Sequence, residues 1–266
     1  MNMYLHELKS LRKSTIIWLC AMVAIALLYL SMYSGIANDA KAFKDLMSGY
    51  PPQVQAMLGV SIDSITSLLG FYSMVATFVV LLGAIQAMNF GVSILSKETR
   101  ERTADFLLVK PVSRTAIVNA KVLAALTMFL ATDLIYYAFA SFQISIFKQS
   151  DYNLKVFFLI NLSLLFIQLI FFSLGVVISV FFNKIKSVLP ISLGVVFGLY
   201  LIGALLATGK DDGSRFISPF KYFDYTYIIK NAGYEAPYLI TGSIIVIIAI
   251  AATYFIYCRK DIHAVN

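Results

Sequence analysis

Residues 95–114 hold eight charged side chains, Lys97, Glu98, Arg100, Glu101, Arg102, Asp105, Lys110 and Arg114, between two strongly apolar stretches. Glu98, Glu101, Arg102 and Asp105 are spaced so that they run along one broad face of a helix, where residues three and four apart are neighbours. Phe106, Leu107 and Val109 can pack beneath that face. Pro111 disfavours helical geometry at Lys110, so the element is expected to end there. Ser113 can then cap the next helix by accepting from its free backbone N–H groups. The segment thus reads as a short amphipathic helix, a sharp break and re-entry into the membrane. A merely solubilising loop would not need its charges on a structured hairpin.

Other candidates for chemistry are few. The nearest approach to a nucleotide-binding loop, "GALLATGKDD", has five residues between Gly203 and Gly209 where a Walker A loop has four, and Lys210 is followed by Asp211 rather than Ser or Thr. Hydrolysis of ATP by this chain alone is not expected. His6 and His263 lie near opposite ends and form no zinc-binding pair, and Cys20 and Cys258 suit neither a disulfide nor a metal site, so no metal is expected. Asp133, in "TMFLATDLIYYAFA", is the one carboxylate deep in an apolar run, where a charge costs about 2.5–3.5 kcal/mol. Lacking an intramembrane cation, it is expected to be protonated or bonded to Tyr, Asn or Gln on a neighbouring helix. Gln86 and Asn89 share one helix face, and Asn161 and Gln168 share another, continued by Gly175. Such amides make interhelical hydrogen bonds or line a moderately polar pathway. Gly194 and Gly198 form a G-x-x-x-G pair that permits close helix contact and suggests dimer packing.

These residues are carried by a chain of 266 residues that is 60 % hydrophobic and only 13 % charged. Its mean hydropathy of +0.82 lies far outside the soluble range. Read at roughly 20 apolar residues per crossing, six spans are expected, at about 15–34, 67–95, 116–147, 156–182, 187–208 and 238–257. The runs do not alternate in polarity as a membrane β-barrel would require. The fold class is therefore an all-α polytopic membrane protein. Residues 1–13 place Tyr4, Leu8 and Leu11 on one side and Lys9, Arg12 and Lys13 on the other, the pattern of an amphipathic interfacial helix. The second and third spans exceed the bilayer thickness and are expected to project beyond it, carrying the charged hairpin at 97–114. With the N-terminus cytoplasmic, 13 of the 21 Lys and Arg residues fall inside, which places both termini there. The aromatic cluster of segment 209–237, "SPFKYFDYTYII", is then external and expected at the membrane interface.

"ETRERTADFLLVKPVSRTAIVNAKVL" resembles the coupling-helix region of type 2 ABC exporter permeases. That pattern has acidic residues, Gly-Thr, an apolar run, Pro-x-Ser-Arg and a following Lys; here Glu98, Glu101, Thr103, Asp105, Leu107, Leu108, Pro111, Ser113, Arg114 and Lys121 match it. Arg102 departs from it, standing in the usual glycine slot, and "SPFKYFD" at 218–224 is similar to an outer segment of a bacterial branch. The resemblance implies two six-helix subunits, identical or homologous, bound to two separate cytoplasmic ATPase subunits in a bacterial cell membrane. ATP and Mg would reside on the ATPases and no cofactor on this chain. Glu98, Glu101, Arg102 and Asp105 would supply charge complementarity for docking, with Phe106 and Leu107 as apolar contacts. The expected cargo is hydrophobic or amphipathic, above all membrane-active peptides of the phenol-soluble-modulin kind. Two rivals are an ion-coupled carrier using Asp133 and a non-transporting anchor or sensor that recruits a cytoplasmic protein. Nucleic acid is not an expected partner.

Overall fold

The computed structural model describes residues 3–62, 64–100, 113–148, 151–182, 185–206 and 212–259, without the side chains of 98–100 and 212. All regular structure among them is helical: α1 (Met3–Asn38), α2 (Ala40–Ser48), α3 (Pro52–Leu58), α4 (Leu68–Arg100), α5 (Arg114–Phe147), α6 (Leu154–Phe181), α7 (Val188–Leu206), α8 (Tyr225–Asn231) and α9 (Ala236–Arg259). Two 3₁₀ turns, Asp212–Ile217 and Pro219–Lys221, lie between α7 and α8. Six of the helices, α1, α4, α5, α6, α7 and α9, are long and apolar enough to cross a membrane. Their limits fall within a few residues of the expected spans, except that α1 begins at the chain's third residue. The segment expected as a helix at 1–13 is helical from Met3 onward. It runs straight into the first span, because neither Gly nor Pro occurs before Gly35 to stop it.

The bundle is built around α4 and α6. In their most apolar stretches 83 % of α4 and 61 % of α6 are buried, against 33 % or less for the other four spans, so these two form the centre. They touch backbone to backbone at Gly91 and Gly175: a Cβ on Gly91 would come within 2.4 Å of the Phe172 carbonyl oxygen and 2.9 Å of Gly175 Cα. Beside that contact Phe90 stacks on Phe129 at a centroid distance of 5.7 Å, and Phe129 meets Phe172 edge to face at 5.4 Å. α1 lies against α5 and α4, α9 against α6, and α7 against α4. Leu28, Leu134, Phe142 and Ile247 on the outer spans point away from the protein, as side chains facing lipid tails do.

Because the spans are even in number, α1 starts and α9 finishes at the same end of the bundle, here called the terminal end. The far end is closed by α2, α3, the 3₁₀ turns and α8. Asp39 caps α2 by accepting from Ala42 N, and Asp224 caps α8 by accepting from Thr226 N at 2.8 Å. α3 ends on Gly59, whose φ of +66° is left-handed and whose position allows no Cβ, since one would lie 2.0 Å from Thr77 Oγ1. The aromatic cluster expected to rest in the membrane interface mostly turns inward. Phe223 stacks on Phe166 at 5.5 Å, Phe220 meets Phe171 and Tyr200, and Tyr222 lies over Tyr238, while Phe216 and Tyr227 remain exposed. The physical reason is that the 3₁₀ turns fold the segment over the exposed ends of α6 and α7. Ser218 is tied to the Leu199 carbonyl at 2.8 Å and Tyr222 to the Phe216 carbonyl at 2.8 Å.

Candidate functional site

The terminal end frames the charged hairpin. α4 continues to Arg100, and α5 starts after Ser113, whose hydroxyl accepts from Ala116 N at 3.2 Å. Glu101, Arg102, Thr103, Asp105, Phe106, Leu107 and Pro111, with the side chain of Glu98, lie outside the described residues. The described residues that flank them in sequence make several contacts. Lys97 donates to Ser10 Oγ at 2.6 Å, and Tyr4 shares a 2.8 Å hydrogen bond with Thr127. Lys121 Nζ meets Glu7 Oε1 at 2.9 Å, with both side chains buried. Arg114 reaches across to the last turn of α9, donating to the Tyr257 and Cys258 carbonyls at 3.4 and 3.3 Å. A guanidinium suits that position, where free carbonyls and the negative end of the helix dipole converge. Tyr254 of α9 also hydrogen-bonds to Asn119. Of the helices that flank the hairpin in sequence, α4 is thus fastened to α1, and α5 to both α1 and α9.

Sequence reading missed the Glu7 partner of Lys121. The available signal was that Glu7 is the lone acid of the first thirteen residues and falls one step from Tyr4, Leu8 and Leu11 on the helix's apolar side. A lone acid on an apolar side needs a buried cation.

The intramembrane polar residues divide into two networks. Gln86, Asp133 and Gln168, from α4, α5 and α6, are brought together. The Gln168 amide is 3.3 Å from Gln86 Oε1 on one side and 3.2 Å from both Asp133 carboxyl oxygens on the other. Gln86 Nε2 is 3.5 Å from Thr132 Oγ1, which donates to the Met128 carbonyl at 2.8 Å. With its nitrogen toward Asp133 the Gln168 amide donates to a carboxylate; with its oxygen there it accepts from a protonated acid. Asp133→Asn keeps a matching donor and acceptor, and is expected to leave the melting temperature in detergent unchanged. Asp133→Leu strands one end of a buried amide and is expected to cost about 1–3 kcal/mol, read as a lowered melting temperature. A large loss in the Asn variant would contradict this pairing.

Asn161 belongs to the second network: its Oδ1 accepts from Tyr72 at 2.7 Å, Tyr72 meets Tyr136 at 3.2 Å, and its Nδ2 donates to the Phe157 carbonyl. Asn89 is half-buried and outside both networks. A Cβ on Gly194 or Gly198 would meet open space among the described residues.

A family model described as "ABC-2 family transporter protein" matches residues 1–262. No curated protein matches the chain.

Proposed function

Since the chain belongs to the ABC-2 transporter family and is a multi-pass membrane permease subunit, we propose that it is the membrane half of an ATP-driven exporter whose hairpin at 97–114 docks on a separate ATPase. Two such ATPases and a second permease subunit, identical or homologous, complete the machine. The bias of Lys and Arg toward the terminal end favours a cytoplasmic location for that end in a bacterial cell membrane. ATP and Mg bind the partner. Glu98, Glu101, Arg102 and Asp105 set the register of docking, because charges across an interface chiefly confer specificity. Thr103, Phe106 and Leu107 add contact, and Pro111 fixes the break before Ser113.

The observation that carries this reading is the fastening around the hairpin. Glu7–Lys121, Ser10–Lys97 and Arg114 on the α9 carbonyls link α1, α4, α5 and α9 at the one place where a partner's push would enter. Displacement of the hairpin would therefore move four helices rather than one loop. The cargo is hydrophobic or amphipathic, with membrane-active peptides of the phenol-soluble-modulin kind as the leading class. A largely apolar and aromatic interior, relieved by the Gln86–Gln168–Asp133 and Tyr72–Asn161 networks, supports that choice.

Co-expression with a candidate ATPase, co-purification in detergent and an ATP-hydrolysis assay test the proposal. Glu98→Arg with Glu101→Arg places like charges across the docking face, and is expected to weaken ATPase capture at least about tenfold without loss of the folded permease. Equal capture by wild type and variant would remove the hairpin from the interface. Cargo is then screened by its stimulation of hydrolysis.

A further inference from the structure

The far end holds a cavity of about 370 Å³ between α3, α4, α7, the 3₁₀ turns and the start of α8. That is enough room for a lipid headgroup or a similar small ligand. Val60, Tyr200, Phe220 and Phe223 supply apolar and aromatic wall, and Arg215, Lys221, Thr226 and the exposed Asp224 supply polar lining. Gly203 lets Ser218 and the Lys221 stem lie against α7, since a Cβ there would stand 2.6 Å from Ser218 Oγ and 3.5 Å from Lys221 Cγ.

The two cations at this cavity, Arg215 and Lys221, are matched in number by Glu235 and Asp224, but they are not equally partnered. Arg215 is satisfied: it grips Glu235 through two bonds of 3.1 and 2.5 Å, donates to the Lys221 carbonyl at 3.2 Å and lies 4.2 Å over the Tyr238 ring. Asp224 is committed to capping α8. Lys221 is left half-buried, with one long contact of 3.4 Å from Nζ to the Ala56 carbonyl and no carboxylate at ion-pair distance among the described residues. An ammonium carries three donors, so two lack a protein acceptor among those residues. Burial pushes the Lys221 pKa down, a trend that Arg215 reinforces and Asp224 only partly offsets. A bound anion would reverse that cost.

We propose that this cavity binds a phosphate-bearing anionic amphiphile, with the Lys221 ammonium as counter-ion and the Tyr200, Phe220 and Phe223 rings against its apolar part. The site is independent of the motor and of the cargo assigned above. It lies at the opposite end of the bundle from the hairpin.

The test uses the full chain purified in detergent and follows acylation of Lys221 by an amine-reactive ester, read by mass spectrometry, with exposed Lys230 as internal control. The probes are dihexanoyl phosphatidylglycerol, dihexanoyl phosphatidylcholine and inorganic phosphate. Phosphatidylglycerol at about ten times its dissociation constant is expected to slow Lys221 acylation roughly tenfold, by mass action, and to leave Lys230 unchanged. Phosphatidylcholine, whose choline neutralises the same phosphate, is expected to protect far less. Protection by inorganic phosphate alone would place a free anion at Lys221 and overturn the amphiphile. Equal protection by both lipids, or none by any probe, overturns the proposal. Lys221→Gln is expected to abolish the rise in melting temperature that phosphatidylglycerol gives the wild type, and a retained rise would also overturn it. Should that variant fail to fold, the wild-type labelling still decides.

Discussion

Lys121→Met is expected to destabilise the permease by about 3–5 kcal/mol, one of the two largest effects of any single substitution considered for this chain. Lys121 is 1 % exposed and its Glu7 partner 9 %, so removing the ammonium strands a carboxylate in a site that water hardly reaches. The cost is not the strength of the ion pair, which desolvation of both groups largely consumes. It is the penalty of leaving one charge behind. Glu7→Gln with Lys121→Met removes both charges and is therefore expected to recover part of the loss. Thermal unfolding of the four variants in detergent gives the coupling directly as a double-mutant cycle. A Lys121→Met variant that melts like the wild type would mean that water or another group takes over the Glu7 charge. Because the pair fastens α1 to α5 beside the hairpin, the double variant also separates stability from transmission. It is expected to bind the ATPase yet show a reduced response of hydrolysis to cargo.

Gly91→Leu is expected to be comparably severe, at about 3 kcal/mol or more, and Gly91→Ala milder but still clearly destabilising. Even alanine's Cβ would come 2.4 Å from the Phe172 carbonyl oxygen and 2.9 Å from Val176 N. Both are backbone atoms of a helix and cannot step aside as a side-chain tip could. α4 and α6 would have to part by roughly 1 Å to restore ordinary contact, loosening the most buried interface in the bundle. Gly194→Ala and Gly198→Ala are the controls, since their added methyl groups meet nothing among the described residues. Size-exclusion profile and melting temperature in detergent distinguish the cases: a Gly91→Ala variant as stable as Gly194→Ala would contradict the close approach. A change of oligomeric state confined to the Gly194 and Gly198 variants would instead assign those residues to packing between permease subunits.

The glycines also illustrate what sequence could and could not reveal. Gly194 and Gly198 form a recognisable motif because both lie on one helix, whereas Gly91 and Gly175 sit on different helices and become a contact only after packing. Gly175 was visible as the continuation of the Asn161–Gln168 face, but nothing local marked Gly91 as its counterpart. The spans were legible because bilayer thickness imposes a length on apolar runs, and Ser113 was legible because a cap depends on nearby residues. Asp133 could be seen to need a partner, though which of several amides would meet it depended on the rotation of α4 and α6. The aromatic segment after α7 was recognisable by composition, yet its inward turn depended on 3₁₀ geometry and on ring partners such as Phe166 and Phe171, far away in sequence. The helix at 1–13 was evident from its periodicity. Its continuity with the first span reflected the absence of any stop signal, which is harder to notice than a motif.

The glycine contact at the centre has a mechanical consequence. Helices that meet through side chains can slip by a turn as ridges pass between grooves, but a slip of one turn here would bring Phe171 or Ser179 to the position of Gly175, directly against the backbone of α4. The phenylalanine has no room there. α4 and α6 are therefore a keel: they tilt together or stay still. On the exporter reading proposed above, opening and closing of a passage would come from the panels around them, α1 with α5 on one flank and α7 and α9 on the others, swinging against a spine that does not shear.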